Sequence, residues 1–156
     1  MSLIEKYKTL DSLMQKKKYD EVEKVFHEII TEAIELVNEK AEKEELFDIE
    51  NPIDLALVRA MFEYMLELWS EGAIEEAKEL GYDMAYSVKD PKIKEMFSMF
   101  VLGILDGLGV NQFLDKYVDD SEVYKDYFFT KFHDEIDELL IKHKKRFEEE
   151  FSKDAR

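Results

Sequence analysis

No glycine or proline precedes Pro52, and within that uninterrupted stretch Val22, Val25, Phe26, Ile29, Ile30, Ala33, Ile34, Val37 and Ala41 recur at helical intervals. That spacing puts the apolar side chains on one stripe of an α-helix, with glutamate and lysine on the opposite face. A strand cannot use it, because strand faces alternate every second residue. No other stretch alternates with period two over a useful length, so no sheet is expected. With five glycines and two prolines in 156 residues, turn signals are scarce and the elements must be long. The expected fold class is all-α, about seven antiparallel helices in a bundle of helical hairpins, forming a single domain over residues 1–156.

The helices are expected at about 2–15, 20–46, 52–71, 73–89, 91–106, 110–118 and 121–152. Asp20 with Glu23 has the form of a capping box. Asn51-Pro52 and Asp90-Pro91 each place a capping side chain before a proline at the first helical position. Gly72 and Gly107-Leu108-Gly109 read as stops, and Asp119-Asp120-Ser121 reads as the cap of a long final helix. Small residues recur every fourth position at Ala73, Ala77, Gly81 and Ala85, and again at Gly103 and Gly107. Such stripes let helix backbones approach closely, so the third, fourth and fifth helices should pack most tightly.

Cap, proline, long helix, glycine turn and second helix occur twice in succession, which is the grammar of a helical-hairpin repeat. Gly72 with Ala77, and Lys18-Tyr19-Asp20-Glu21-Val22 at the first hairpin, resemble the turn and small-residue positions of a tetratricopeptide unit. Limited to these fragments, the resemblance implies local hairpin geometry rather than family membership.

Composition narrows the function. The chain has no cysteine, which excludes disulfides, thiolate metal sites and a cysteine nucleophile. Together with a start, Met1-Ser2-Leu3-Ile4, that lacks a secretion signal, this suggests a cytoplasmic protein. The longest apolar run, Met96 to Leu105, is about half the ~20 residues a bilayer span needs, so no membrane association is expected. Net charge is −16. The basic groups Lys16-Lys17-Lys18 and Lys142, Lys144, Lys145, Arg146 are too local, or too close to Glu148-Glu149-Glu150, to attract a duplex; nucleic acid is not an expected partner.

Chemistry-bearing constellations are sparse. His27 with Glu23, and His133 with Asp137, stand one helical turn apart and form the candidate metal ligands if their helices were neighbours. The di-iron pattern needs Glu three residues before His, and Lys24, Thr130 and Leu140 occupy those places instead. Gly103 to Gly109 matches neither a dinucleotide fingerprint nor a P-loop. No catalytic residue and no cofactor is assigned, and nothing marks the chain as an enzyme. His143 continues the series Phe129, Phe132, Ile136, Leu139, which places it on the apolar seam of the last helix.

Tyr124, Tyr127, Phe128, Phe129 and Phe132, read on that helix, cover more than half its circumference and cannot all face one core. The excess is the expected partner-binding face. The function expected is therefore a helical protein-interaction module. It would bind a protein partner or form a homo-oligomer through an apolar and aromatic surface of the fifth to seventh helices. The alternative is a small-molecule or metal-binding helical bundle with enzymatic activity.

Overall fold

The computed structural model describes residues 1–154 and is all-α. Its seven helices are α1 (Leu3–Gln15), α2 (Tyr19–Glu42), α3 (Pro52–Ser70), α4 (Ile74–Ser87), α5 (Pro91–Leu105), α6 (Val110–Tyr117) and α7 (Ile136–Asp154). Sequential helices pack as adjacent antiparallel pairs, and no strand forms among the described residues. The contacts divide the chain into two compact units, Met1–Met61 and Phe62–Arg156, with the division falling inside α3.

The helix ends follow a common device. α1, α2, α3 and α5 each finish with a residue at positive φ, namely Lys17 (58°), Glu44 (55°), Gly72 (84°) and Gly107 (76°). In each case that residue's N–H and the next one turn back onto carbonyls of the last turn, as in Ala73 N to Leu68 O and Gly72 N to Trp69 O. This is the Schellman closure, which satisfies carbonyls that the helix leaves open. Starts are equally local: Ser2 accepts from Glu5 N, Asn51 from Ile53 N and Asp54 N, and Asp90 from Lys92 N and Ile93 N. α2 departs from expectation. It begins at Tyr19 with no side-chain cap, so Asp20 and Glu23 form no capping box and Asp20 acts only as a charge in the first turn.

In the first unit α1 and α2 form an antiparallel hairpin that buries Leu3, Tyr7, Leu10, Ile29, Ile30 and Ala33. Lys6 pairs with Glu32 at 2.7 Å across it. Arg59 on α3 is buried, with its guanidinium 3.9 Å from the Tyr7 ring centre and 3.0 Å from an Asp11 oxygen. Lys40 bonds Asp54 and Glu45, while Asp54 also accepts from Asp48 N, which ties the 43–51 loop down.

The second unit is centred on α5, which is buried from Met99 through Leu105 as well as at Ile93, Met96 and Phe97. α4 lies antiparallel against it in an extensive contact. The small stripe makes this approach possible: Ala77 and Ala85 are fully buried, and a Cβ on Gly81 would lie 2.5 Å from Val101 Cγ2. Gly103 serves α6 instead, since the Phe113 ring occupies the space its Cβ would need. Gly107 belongs to no packing stripe; its positive φ closes α5, and nothing crowds it. α7 covers α5 and α4.

The largest correction concerns residues 119–135, which are not helical. Asp119-Asp120-Ser121 makes a side-chain turn, Asp119 Oδ1 accepting from Ser121 N, and the final helix begins only at Ile136. Between them the chain doubles back through isolated antiparallel bridges, Val118 to Phe132 and Tyr124 to Phe128. Lys125 and Asp126, both at positive φ, form the tight turn inside the second bridge. The reason is steric. A helix could turn only part of the aromatic series inward, whereas the doubled-back segment delivers Phe128, Phe129 and Phe132 to one aromatic core.

Candidate interaction surface

The aromatic series divides between the interior and the surface. Phe128 is fully buried, 5.9 Å from Phe62 between ring centres, and half-buried Phe129 packs on Phe62 from another side. Phe132 is also half-buried, with an edge contact to Phe100 and a tilted one to Phe113. Tyr124 donates its hydroxyl to Asp90 Oδ2 at 2.7 Å, with the Lys92 ammonium 4.9 Å from its ring centre. It thereby ties the turn to the start of α5. Only Tyr127 is exposed, its ring edge-on to Phe128. These five side chains therefore form no continuous outward face.

The metal candidates fall in different units. His27 and Glu23 do lie one turn apart on an exposed face of α2. His133 precedes α7, its backbone N–H donating to Tyr117 O at 2.8 Å, so the expected helical register with Asp137 does not exist. Among the described residues no three His, Cys, Asp or Glu side chains converge in a way that could hold a metal ion.

His143 stands on the inner side of α7 as the spacing of Ile136 and Leu139 implies, although Phe129 and Phe132 belong to the preceding segment. Its Nε2 lies 2.8 Å from Asp106 Oδ1, and Lys142 Nζ reaches the same oxygen at 2.9 Å. Burial pushes the Asp106 carboxyl up, but the hydrogen bonds from His143 and Lys142 outweigh it and hold the carboxyl below its usual range. Asp106 is the C-terminal cap residue of α5, so this cluster pins α7 to the end of α5. Further along, Lys78 of α4 pairs with Glu150 at 2.8 Å, and Tyr82 packs on Phe147 and Phe151.

Between these anchorages α5 and α7 part slightly. A groove of about 420 Å³ opens there, lined by Ser98, Met99, Leu102, Leu140, Ile141, Lys144, Phe147 and Glu148. Its walls are almost wholly hydrocarbon. Ile141 beside it is 82% exposed, far more than any other aliphatic side chain of α7. The sequence contains a sign of this. Leu139-Leu140-Ile141 is a run of three apolar residues on a helix, and successive positions about 100° apart cannot all face one core. Leu139 is buried, Leu140 lines the rim and Ile141 points to solvent.

Among the described residues no helix is long and apolar enough to cross a membrane. Comparison with models of protein families, with curated proteins and with solved structures gives no match.

Proposed function

We propose that the chain is a helical protein-interaction module whose contact surface is the apolar groove between α5 and α7. The observation that carries this reading is Ile141, a large aliphatic side chain left in water beside a hydrocarbon-lined groove. Grooves of this kind accept the apolar face of a helix, with a few anchoring side chains supplying most of the affinity. The surface thus lies on the fifth and seventh helices, away from the aromatic series of residues 124–132. The hairpin grammar suits such a role, since helical hairpins commonly present binding surfaces between neighbouring helices. A cytoplasmic setting and partners other than nucleic acid or membranes fit the cysteine-free composition and the net charge of −16.

The test is affinity capture with the wild-type chain and with Ile141→Glu. The exposed position makes the substitution harmless to folding, so a partner captured by the wild type should be lost from the variant. Equal capture by both would remove the groove from consideration. One observation favours a second reading: about 420 Å³ is within the range of small-molecule sites, so the groove also suits a small apolar ligand. Stabilisation by an apolar fluorescent probe, abolished by Leu102→Trp filling the groove, would support it.

A further inference from the structure

We propose that the occupant of this surface is a second copy of the same chain, docked by antiparallel pairing of α7 with its counterpart about a two-fold axis at Ile141. The proposal rests on the groove reading above and deepens it. Asp137 and Glu138 lie one turn before Ile141, and Lys144 and Lys145 one turn after it. All four are exposed and fall within about 60° of Ile141 around the helix. The face therefore reads acidic, apolar, basic along its length.

Such a pattern is complementary to itself only when two copies run antiparallel. With the axis at Ile141, Asp137 meets the partner's Lys144 on one flank and Glu138 meets the partner's Lys145 on the other, and each pair occurs twice. Ile141 then packs on its own counterpart, and Leu140 leads from the contact into the groove. Glu148, about 10 Å from the axis, falls opposite the end of the partner's α7, where the helical pairing stops. A parallel arrangement would instead set acid against acid and base against base. The chain's net charge of −16 repels another copy at a distance, but paired groups in contact lie well inside a screening length of ~8 Å. Charge more distant than that is largely screened, so the paired groups set the local sign of the interaction.

The experiment is sedimentation equilibrium of the full chain from low micromolar to near-millimolar concentration, with far-UV circular dichroism confirming that each variant is folded. A concentration-dependent dimer is expected. Ile141→Glu should weaken it at least tenfold. So should Lys144→Glu with Lys145→Glu, and separately Asp137→Lys with Glu138→Lys. Each double variant repels itself, yet the two mixed together present opposite charges at every pairing, so the mixture should form a heterodimer tighter than either variant's self-association. A monomer at near-millimolar concentration, a dimer indifferent to these variants, or a mixture that fails to associate overturns the proposal. A monomeric chain whose captured partner is lost on Ile141→Glu would remove the second copy and leave the groove reading intact.

Discussion

Gly103→Ala isolates one contact that the packing of the second unit requires. A Cβ built there falls well inside contact distance of Phe113 Cδ1 and lies 2.8 and 2.9 Å from Cε1 and Cγ. The ring cannot easily retreat. It is fully buried, with ring centres of Phe100 at 4.9 Å and of Trp69 and Tyr117 at 5.6 Å. Overpacking of this kind costs ~1–3 kcal/mol. Replacing glycine with alanine in a helix returns up to about 1 kcal/mol, and less so near the helix end where Gly103 sits. The sum is a loss of ~1–2 kcal/mol, visible as a lower urea midpoint with an unchanged slope. The cycle partner is Phe113→Leu, which removes the ring edge. In that background Gly103→Ala should cost much less or become favourable. An alanine variant that melts higher than the wild type, or that costs the same whichever residue occupies position 113, would refute the argument.

Gly81→Ala should also destabilise, by ~1 kcal/mol, because its Cβ would lie 2.5 Å from Val101 Cγ2 and 3.3 Å from Met65 Sδ, though the flexible methionine can yield; thermal melting checks it, and a gain in Tm would mean the α4–α5 approach is looser than described. Lys17→Gly and Glu44→Gly should each stabilise by about 1 kcal/mol, since both side chains occupy left-handed conformations that glycine adopts without strain. Asp83 keeps an exposed surface, yet crowding that strips part of its water, then its hydrogen bond to Asp154 and the charges of Asp154 and Glu79, push its carboxyl up from 3.8. A raised carboxyl stabilises the fold fully below its unfolded value, and that contribution is lost as pH rises through its folded value. Stability should therefore decline, modestly for so exposed a group, as pH rises from about 4, and Asp83→Asn should flatten the decline; an unchanged pH profile would show that the fold does not raise the Asp83 carboxyl.

Much of the fold is legible because its punctuation is local. Asn51-Pro52 and Asp90-Pro91 carry their own capping bonds, and Gly72 and Gly107 supply the positive φ at which α3 and α5 close. Where a non-glycine residue performs the same closure the signal disappears. Lys17 and Glu44 look like ordinary helix surface, which is why the end of α2 was expected several residues beyond Glu42. The last helix starts later than its periodicity implies for a different reason. Residues 119–135 contain no glycine or proline, so nothing local interrupts the periodicity; the break is imposed by Phe62, Phe100 and Phe113, whose rings collect Phe128, Phe129 and Phe132. Tertiary packing overrides pattern there, and the aromatic excess that suggested an external face is what drives the chain inward. The apolar run that does reach the outer surface is Leu139-Leu140-Ile141 on α7.

The two faces of α7 are held to different requirements. Inward, Ile136, Leu139, Phe147 and the His143–Asp106 contact fasten it to the rest of the unit. Outward, stability alone gives no reason for isoleucine at position 141. An exposed isoleucine gains no burial, and as a β-branched residue it is a poorer helix former than the lysine and glutamate around it by a few tenths of a kcal/mol. A chain shaped only to fold would carry Lys or Glu there. Ile141→Lys should therefore leave the isolated chain as stable as before, or slightly more so, when melted at dilute concentration. If it costs a full kcal/mol under those conditions, Ile141 belongs to the core after all and the groove has lost its exposed anchor. If stability holds while association falls, folding and binding are carried by opposite sides of one helix.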